Sequence, residues 1–230
     1  MIVVGVDGCP GGWVAMEYDS TARTLSPRVF TTFEGLLAAH RDVACIGVDI
    51  PIGLIAGEPR RCDVEARRVL GARRSSVFPA PDPRIVGVGT YVEALERSRA
   101  LTGKGISKQS HAIYPKVAEV DRLMAPESQR RVVEVHPEVS FWALSGRPMS
   151  HSKKVPAGFE ERRGLLVSAL ETIIPDRDTA RTLARPAAAD DVLDAIVAAW
   201  TALRFATGIA GRLPTEPQLD ARGLRAEIVY

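Results

Sequence analysis

Apolar and polar positions follow strand periods over the first fifty residues and mostly helical periods afterwards. Residues 2–7 (IVVGVD) form a short valine-rich run, the pattern of a buried strand. The stretch Gly8-Cys9-Pro10-Gly11-Gly12 is a turn, and residues 13–18 (WVAMEY) alternate like the second arm of a hairpin. Residues 24–31 predict a third strand, and Pro27 within it argues for an edge or a bulge. A short helix is expected over 33–40, then a fourth buried strand over 43–50 (VACIGVDI), stopped by Pro51. Further helices are expected at 60–71, 90–101, 158–173 and 187–207. Residues 131–136 (RVVEVH) read as a core strand and 224–229 as a final one. This is an α/β pattern, one domain over residues 1–230, with residues 51–120 inserted after the fourth strand.

Composition narrows the class. The 230 residues are 46% apolar and 25% charged, as in a soluble globular protein. Charge interrupts each apolar run well before membrane-spanning length, so no membrane partner is expected. No signal-peptide pattern precedes MIVVGVDG, which makes a cytoplasmic location the expectation. Cys9, Cys45 and Cys62 are too few and too irregular for a disulfide framework or a zinc site. Charge is uneven along the chain. Between Arg60 and Lys116 twelve basic residues face five acids, a net +7, so the remainder of this +2 chain carries −5. A basic segment on an acidic body suggests a surface for phosphates.

The acids carry the candidate chemistry. Asp7 ends the first strand and Asp49 the fourth; ligands of open α/β sheets bind beyond such strand ends. Glu134 lies in the RVVEVH strand, with His136 and Glu138 close behind. Asp190, Asp191 and Asp194 cluster at the start of the long helix, three and four residues apart and therefore neighbours on its surface. Asp190 and Asp191 also suit the cap and dipole of that helix. Asp194, inside it beside Leu193, Ile196, Val197 and Trp200, does not. Acids gathered in one cleft repel unless a cation offsets them or some protonate. Mg²⁺ or Mn²⁺, which take carboxylate and water oxygens, suits such a site.

These residues resemble a family. GVDGCPGGWV (5–14), GVDIPIGL (47–54), RRCDVEAR (60–67), LGARRSSVFPAP (70–81), GKGISKQ (103–109), PKVAEVD (115–121), EVHPEVSF (134–141) and DDVLDAIVAAW (190–200) are similar to the DUF429 family, predicted nucleases of the ribonuclease H-like fold. The resemblance implies a mixed sheet flanked by helices, with the insertion as a basic lid or cap. It places Asp7, Asp49 and Asp191 or Asp194 at metal-binding corners; Glu134 has no counterpart among those corners and is a catalytic candidate from its strand position alone. Glu34 on the short helix is a candidate for the remaining ligand.

Phosphate grip is expected from Arg73, Arg74, Ser75, Lys104, Lys116, His136 and Lys153. The leading expectation is a two-metal phosphodiesterase acting on nucleic acid. An actin-like nucleotide-binding module, a hydrolase of small phosphate esters and a non-catalytic nucleic-acid-binding protein are the alternatives, and a homodimer is compatible with each.

Overall fold

The computed structural model describes all residues, Met1–Tyr230. In chain order the elements are β1 (Ile2–Cys9), β2 (Gly12–Asp19), β3 (Thr24–Phe30), α1 (Phe33–Ala39), β4 (Cys45–Val48), α2 (Arg61–Leu70), α3 (Tyr91–Thr102), α4 (Lys108–Ala112), α5 (Tyr114–Leu123), β5 (Val132–Glu134), α6 (Pro137–Ser145), α7 (Pro156–Leu170), α8 (Arg177–Leu183), α9 (Ala189–Ala206), β6 (Arg212–Leu219) and β7 (Arg225–Val229). Short 3-10 turns occupy Gly71–Ser76 and Pro126–Arg130.

Five strands form a mixed sheet in the order β3-β2-β1-β4-β5. β2 runs antiparallel to β1 and β3, while β1, β4 and β5 are parallel. The β1–β2 hairpin closes through Pro10 and Gly11 between the paired Cys9 and Gly12. Pro10 presets the first turn position and Gly11, at φ +75°, fills the one that needs a left-handed residue, the type II pattern. Pro27 sits in β3 at the sheet edge, where a missing N–H costs no ladder bond.

Both faces of the sheet are covered, which explains why β1 and β4 read as unbroken apolar runs. Val3, Cys9, Val14, Met16, Cys45 and Val133 belong to one core with α9 and α7. Val4, Val6, Trp13, Ala15, Ile46 and Val48 belong to the other, with α1 and α5. The Trp13 indole donates to Glu119 Oε2 (3.0 Å), joining β2 to α5.

α9 lies almost in contact with the sheet backbone. Gly5 on β1 and Gly47 on β4 are register partners. A Cβ at Gly5 would stand 1.9 Å from the carbonyl oxygen of Ala195, and one at Gly47 2.7 Å from that of Ala198. Only glycine on the strands, opposite alanine on the helix, permits this approach. The same spacing, Gly-Val-Asp, occurs in both strands: the glycine seats α9, the valine turns to the other core, and the aspartate returns to the helix side.

One expectation needs correction. Residues 51–120 do not act as one cap, because α5 belongs to the core beneath the sheet and α2 packs with the β6–β7 hairpin in a separate small core. The expected final strand is present as β7. It pairs with β6 and touches the sheet edge through one bridge, Val135 to Val229. β6 itself escaped the sequence pattern because Pro214 and Pro217 disguise it; its ladder is irregular between Leu213 and Gln218, where they fall.

Gly5→Ala is expected to cost about 3 kcal/mol or more, since the obstacle is helix backbone and not a mobile side chain. Gly47→Ala should cost less, the clash being milder. Urea unfolding of both variants tests the order.

Candidate active site

The carboxyl ends of β1 and β4, the start of α6 and the buried side of α9 surround a cleft of about 580 Å³. Asp7, Asp49 and Asp194 line it, as do Arg73, Ser75, Phe78, Lys116, His136, Glu138, Lys153 and Lys154. Asp7 and Asp194 are 8% and 2% exposed, so little water reaches either carboxylate. Asp7 Oδ1 accepts the Gly8 N–H at 2.6 Å.

Burial dominates the electrostatics. It raises Asp7 well above the usual carboxylate range, and the nearby Asp49 and Asp194 raise it further, against Lys153. Burial likewise lifts Asp49 to about 6, with His136 pulling down and Asp194 pushing up. Asp194 is raised by burial and held back by Lys153. The Lys153 ammonium is bonded to Asp194 and lies 3.7 Å from Asp190, while Lys154 pairs with Asp190 at 2.6 Å. Asp194, followed by Asp7 and Asp49 with burial opposing, keeps Lys153 firmly protonated. The acids therefore converge around an ammonium group.

Not every expected residue takes part. Glu134 is committed elsewhere: its two oxygens accept from Arg60 at 2.6 and 2.7 Å, and one also accepts the Ile52 N–H at 2.7 Å. Arg60 also grips Asp63 and the Ile52 carbonyl, and Asp63 accepts the Ala80 N–H. This buried network clamps the loop that follows Asp49, so Glu134 supports the site instead of offering it a lone pair. Cys62, Asp63 and Glu134 form the one trio of ligand-type atoms within 4.8 Å of each other, but the Arg60 guanidinium already neutralises its two carboxylates. That argues against a metal there.

Asp191 accepts the Ala188 N–H at 2.8 Å and serves as a helix cap, outside the cleft lining. Glu34 is exposed on α1 and does not line the cleft. Arg74 and Lys104 are exposed and also lie outside it, leaving Arg73, Ser75, Lys116, His136 and Lys153 as the expected anion-facing residues that do reach it. Lys116 donates to the Gly12 carbonyl and stands 4.5 Å over the Trp13 ring, so it is partly spoken for. Arg73 donates Nε to the Met149 carbonyl (3.0 Å) and keeps a buried Nη2 without a partner.

Phe78, a 42% exposed ring, lies in the cleft wall; in the sequence it counts only among the few aromatics of the basic segment, with Tyr91 and Tyr114, too few to argue for base stacking, and Glu138 is not singled out there as a site residue. Glu138 follows Pro137 in a first helical turn, where an acid reads as an ordinary dipole partner.

A carboxyl whose folded pKa is raised adds stability at low pH and loses it as pH rises toward the folded value. Asp49 should therefore destabilise the metal-free protein progressively from about pH 4 to above 6. Asp49→Asn is expected to gain about 1–3 kcal/mol at pH 7.5 with EDTA and little at pH 4, and Asp7→Asn should change stability in the same direction. Urea unfolding at both pH values measures this.

The family described as "Protein of unknown function (DUF429)" matches residues 5–219. Neither the curated proteins nor the solved structures contain a match. No helix is long and apolar enough to cross a membrane.

Proposed function

This chain belongs to the DUF429 family, and from that premise we propose that its acidic cleft is a divalent-cation-dependent phosphodiesterase site. One observation carries the proposal: Asp7, Asp49 and Asp194, from β1, the end of β4 and α9, line one cleft, the first and last buried and Asp49 half-buried, with Lys153 offsetting their charge. Burying like charges is unfavourable, and a structural core has no use for it. The strand order and the placement of acids on these elements support the ribonuclease H-like reading.

The donor set is carboxylate oxygen, which fits Mg²⁺ or Mn²⁺ better than softer ions. Asp7, Asp49 and Asp194, whose oxygens do not all lie within 4.8 Å of one another while Lys153 holds Asp194, would have to close on the ion, and Mg²⁺ or Mn²⁺ would supply charge stabilisation at a phosphoryl oxygen and acidify water. The chain's own groups do the remainder. Arg73, on the cleft wall with an unpartnered buried Nη2, would donate to a phosphate oxygen, and Lys153 and Lys154 add positive charge to the same cleft. His136 Nε2 stands 3.3 Å from the Ser76 carbonyl, which orients the ring on the cleft wall, and its buried Nδ1 has no partner.

The substrate reading is nucleic acid held at a single phosphodiester. Phe78 offers a face on which one base can stack. The size of the cleft also favours a second reading, a small phosphate ester, because Arg74 and Lys104 stand apart from the lining and form no continuous basic track with it.

A panel of single-stranded, duplex, hybrid and branched nucleic acids, with a bis(nitrophenyl) phosphate arm, is the test. Cleavage should require Mg²⁺ or Mn²⁺ and stop with EDTA. Asp7→Asn, Asp49→Asn and Asp194→Asn should each lower it at least 100-fold. Cleavage of the small ester alone would select the second reading. No cleavage by a folded, cation-binding protein would overturn the phosphodiesterase assignment.

A further inference from the structure

Resting on the proposal that the cleft binds divalent cations, we infer that Glu138 is its fourth carboxylate and forms with Asp194 a second cation position beside that of Asp7 and Asp49. Of the sequence candidates for this role, Glu34 is exposed away from the cleft, and Glu134 reaches the cleft wall but has both oxygens taken by Arg60 and the Ile52 N–H. Glu138 is in the cleft wall and only 9% exposed.

Its two oxygens have different fates. Oε1 accepts from Arg162, which is 1% exposed and is itself pinned by donating to the carbonyls of Gly158 (2.8 Å) and His151 (3.1 Å). Arg162 also lies against the Phe141 ring, 5.5 Å from its centroid. The carboxylate is thereby held in one orientation. Oε2 is buried and has no hydrogen-bond partner. A buried acceptor left in this state is costly, more so when charged.

The neighbourhood selects what satisfies it. Glu138 is among the charges that raise Asp194, so the free oxygen adds to a negative field. A phosphate oxygen would be repelled there, whereas a hard cation bridging Glu138 and Asp194 would meet both acids. Lys153 now supplies the positive charge on Asp194, and it must swing aside when that second position fills. Its place in the loop between α6 and α7, with its side chain about one-third exposed, leaves it room to do so.

The experiment is Mn²⁺ titration of the full, metal-stripped chain, following free Mn²⁺ by its electron paramagnetic resonance signal. The wild type should take up two equivalents. Glu138→Gln keeps an oxygen for Arg162 and places an amide NH₂ at the position of Oε2. It should lose one equivalent, or bind it at least ten-fold more weakly, while Asp49→Asn weakens the other. The double variant E138M/R162M removes both buried charges together and should show the same single loss, which covers misfolding of the single variant. Wild-type affinity for two ions in Glu138→Gln or in the double variant would overturn the inference and leave the phosphodiesterase reading intact, as would a wild type that binds one ion whose uptake ignores Glu138. A wild type that binds no Mn²⁺ would overturn both.

Discussion

The contact between α9 and the glycines of β1 and β4 sets the geometry on which the rest depends. A helix usually stands off a sheet by the thickness of its side chains. Here Gly5 and Gly47 remove that layer, and Ala195, Ala198 and Ala199 remove it from the helix. Asp194 adjoins Ala195, and Asp7 and Asp49 lie two residues beyond the glycines on the same strand face. Three acids far apart in sequence are thus brought to one cleft by a packing requirement. Dispersion and burial of α9, twelve of whose residues are buried, stabilise the arrangement that the charges oppose.

That opposition is managed in layers. Lys153 lies against Asp194 and Asp190, and Lys154 reinforces Asp190. Arg60 holds Glu134 and Asp63 at the loop after Asp49, and Arg162 holds Glu138 from the other side. Each arginine is buried and makes several hydrogen bonds, the condition under which a buried ion pair is tolerated and its disruption is severe. Arg73, His136 and Glu138 line the cleft, and each has one buried polar atom without a partner, as does Arg162 Nε behind Glu138.

Much of this was legible in the linear chain. Continuous apolar runs ending in aspartate marked β1 and β4 because both sheet faces are covered, and turn chemistry at Pro10-Gly11 marked the hairpin. Asp194 stood out because an acid within an apolar stripe has no local explanation. Arg73, separated from its neighbour Arg74 by a single peptide bond, could not be distinguished from it by composition. The turn at Gly71–Ser76 sends one toward Met149 and the cleft and leaves the other exposed.

What the sequence determined by itself was local: strand period, turn type, helix caps, and which acids lacked a bland role. Those depend on neighbours within a few residues. The tertiary structure decided how each acid is employed, because that depends on partners remote in sequence, 82 residues away for Glu134 and Ile52. Glu134 and Glu138 are four residues apart and both buried. Arg60 and the Ile52 N–H saturate the first, while Arg162 occupies one oxygen of the second and leaves the other bare. No periodicity encodes that difference; it arises from which arginine the fold brings to each carboxylate.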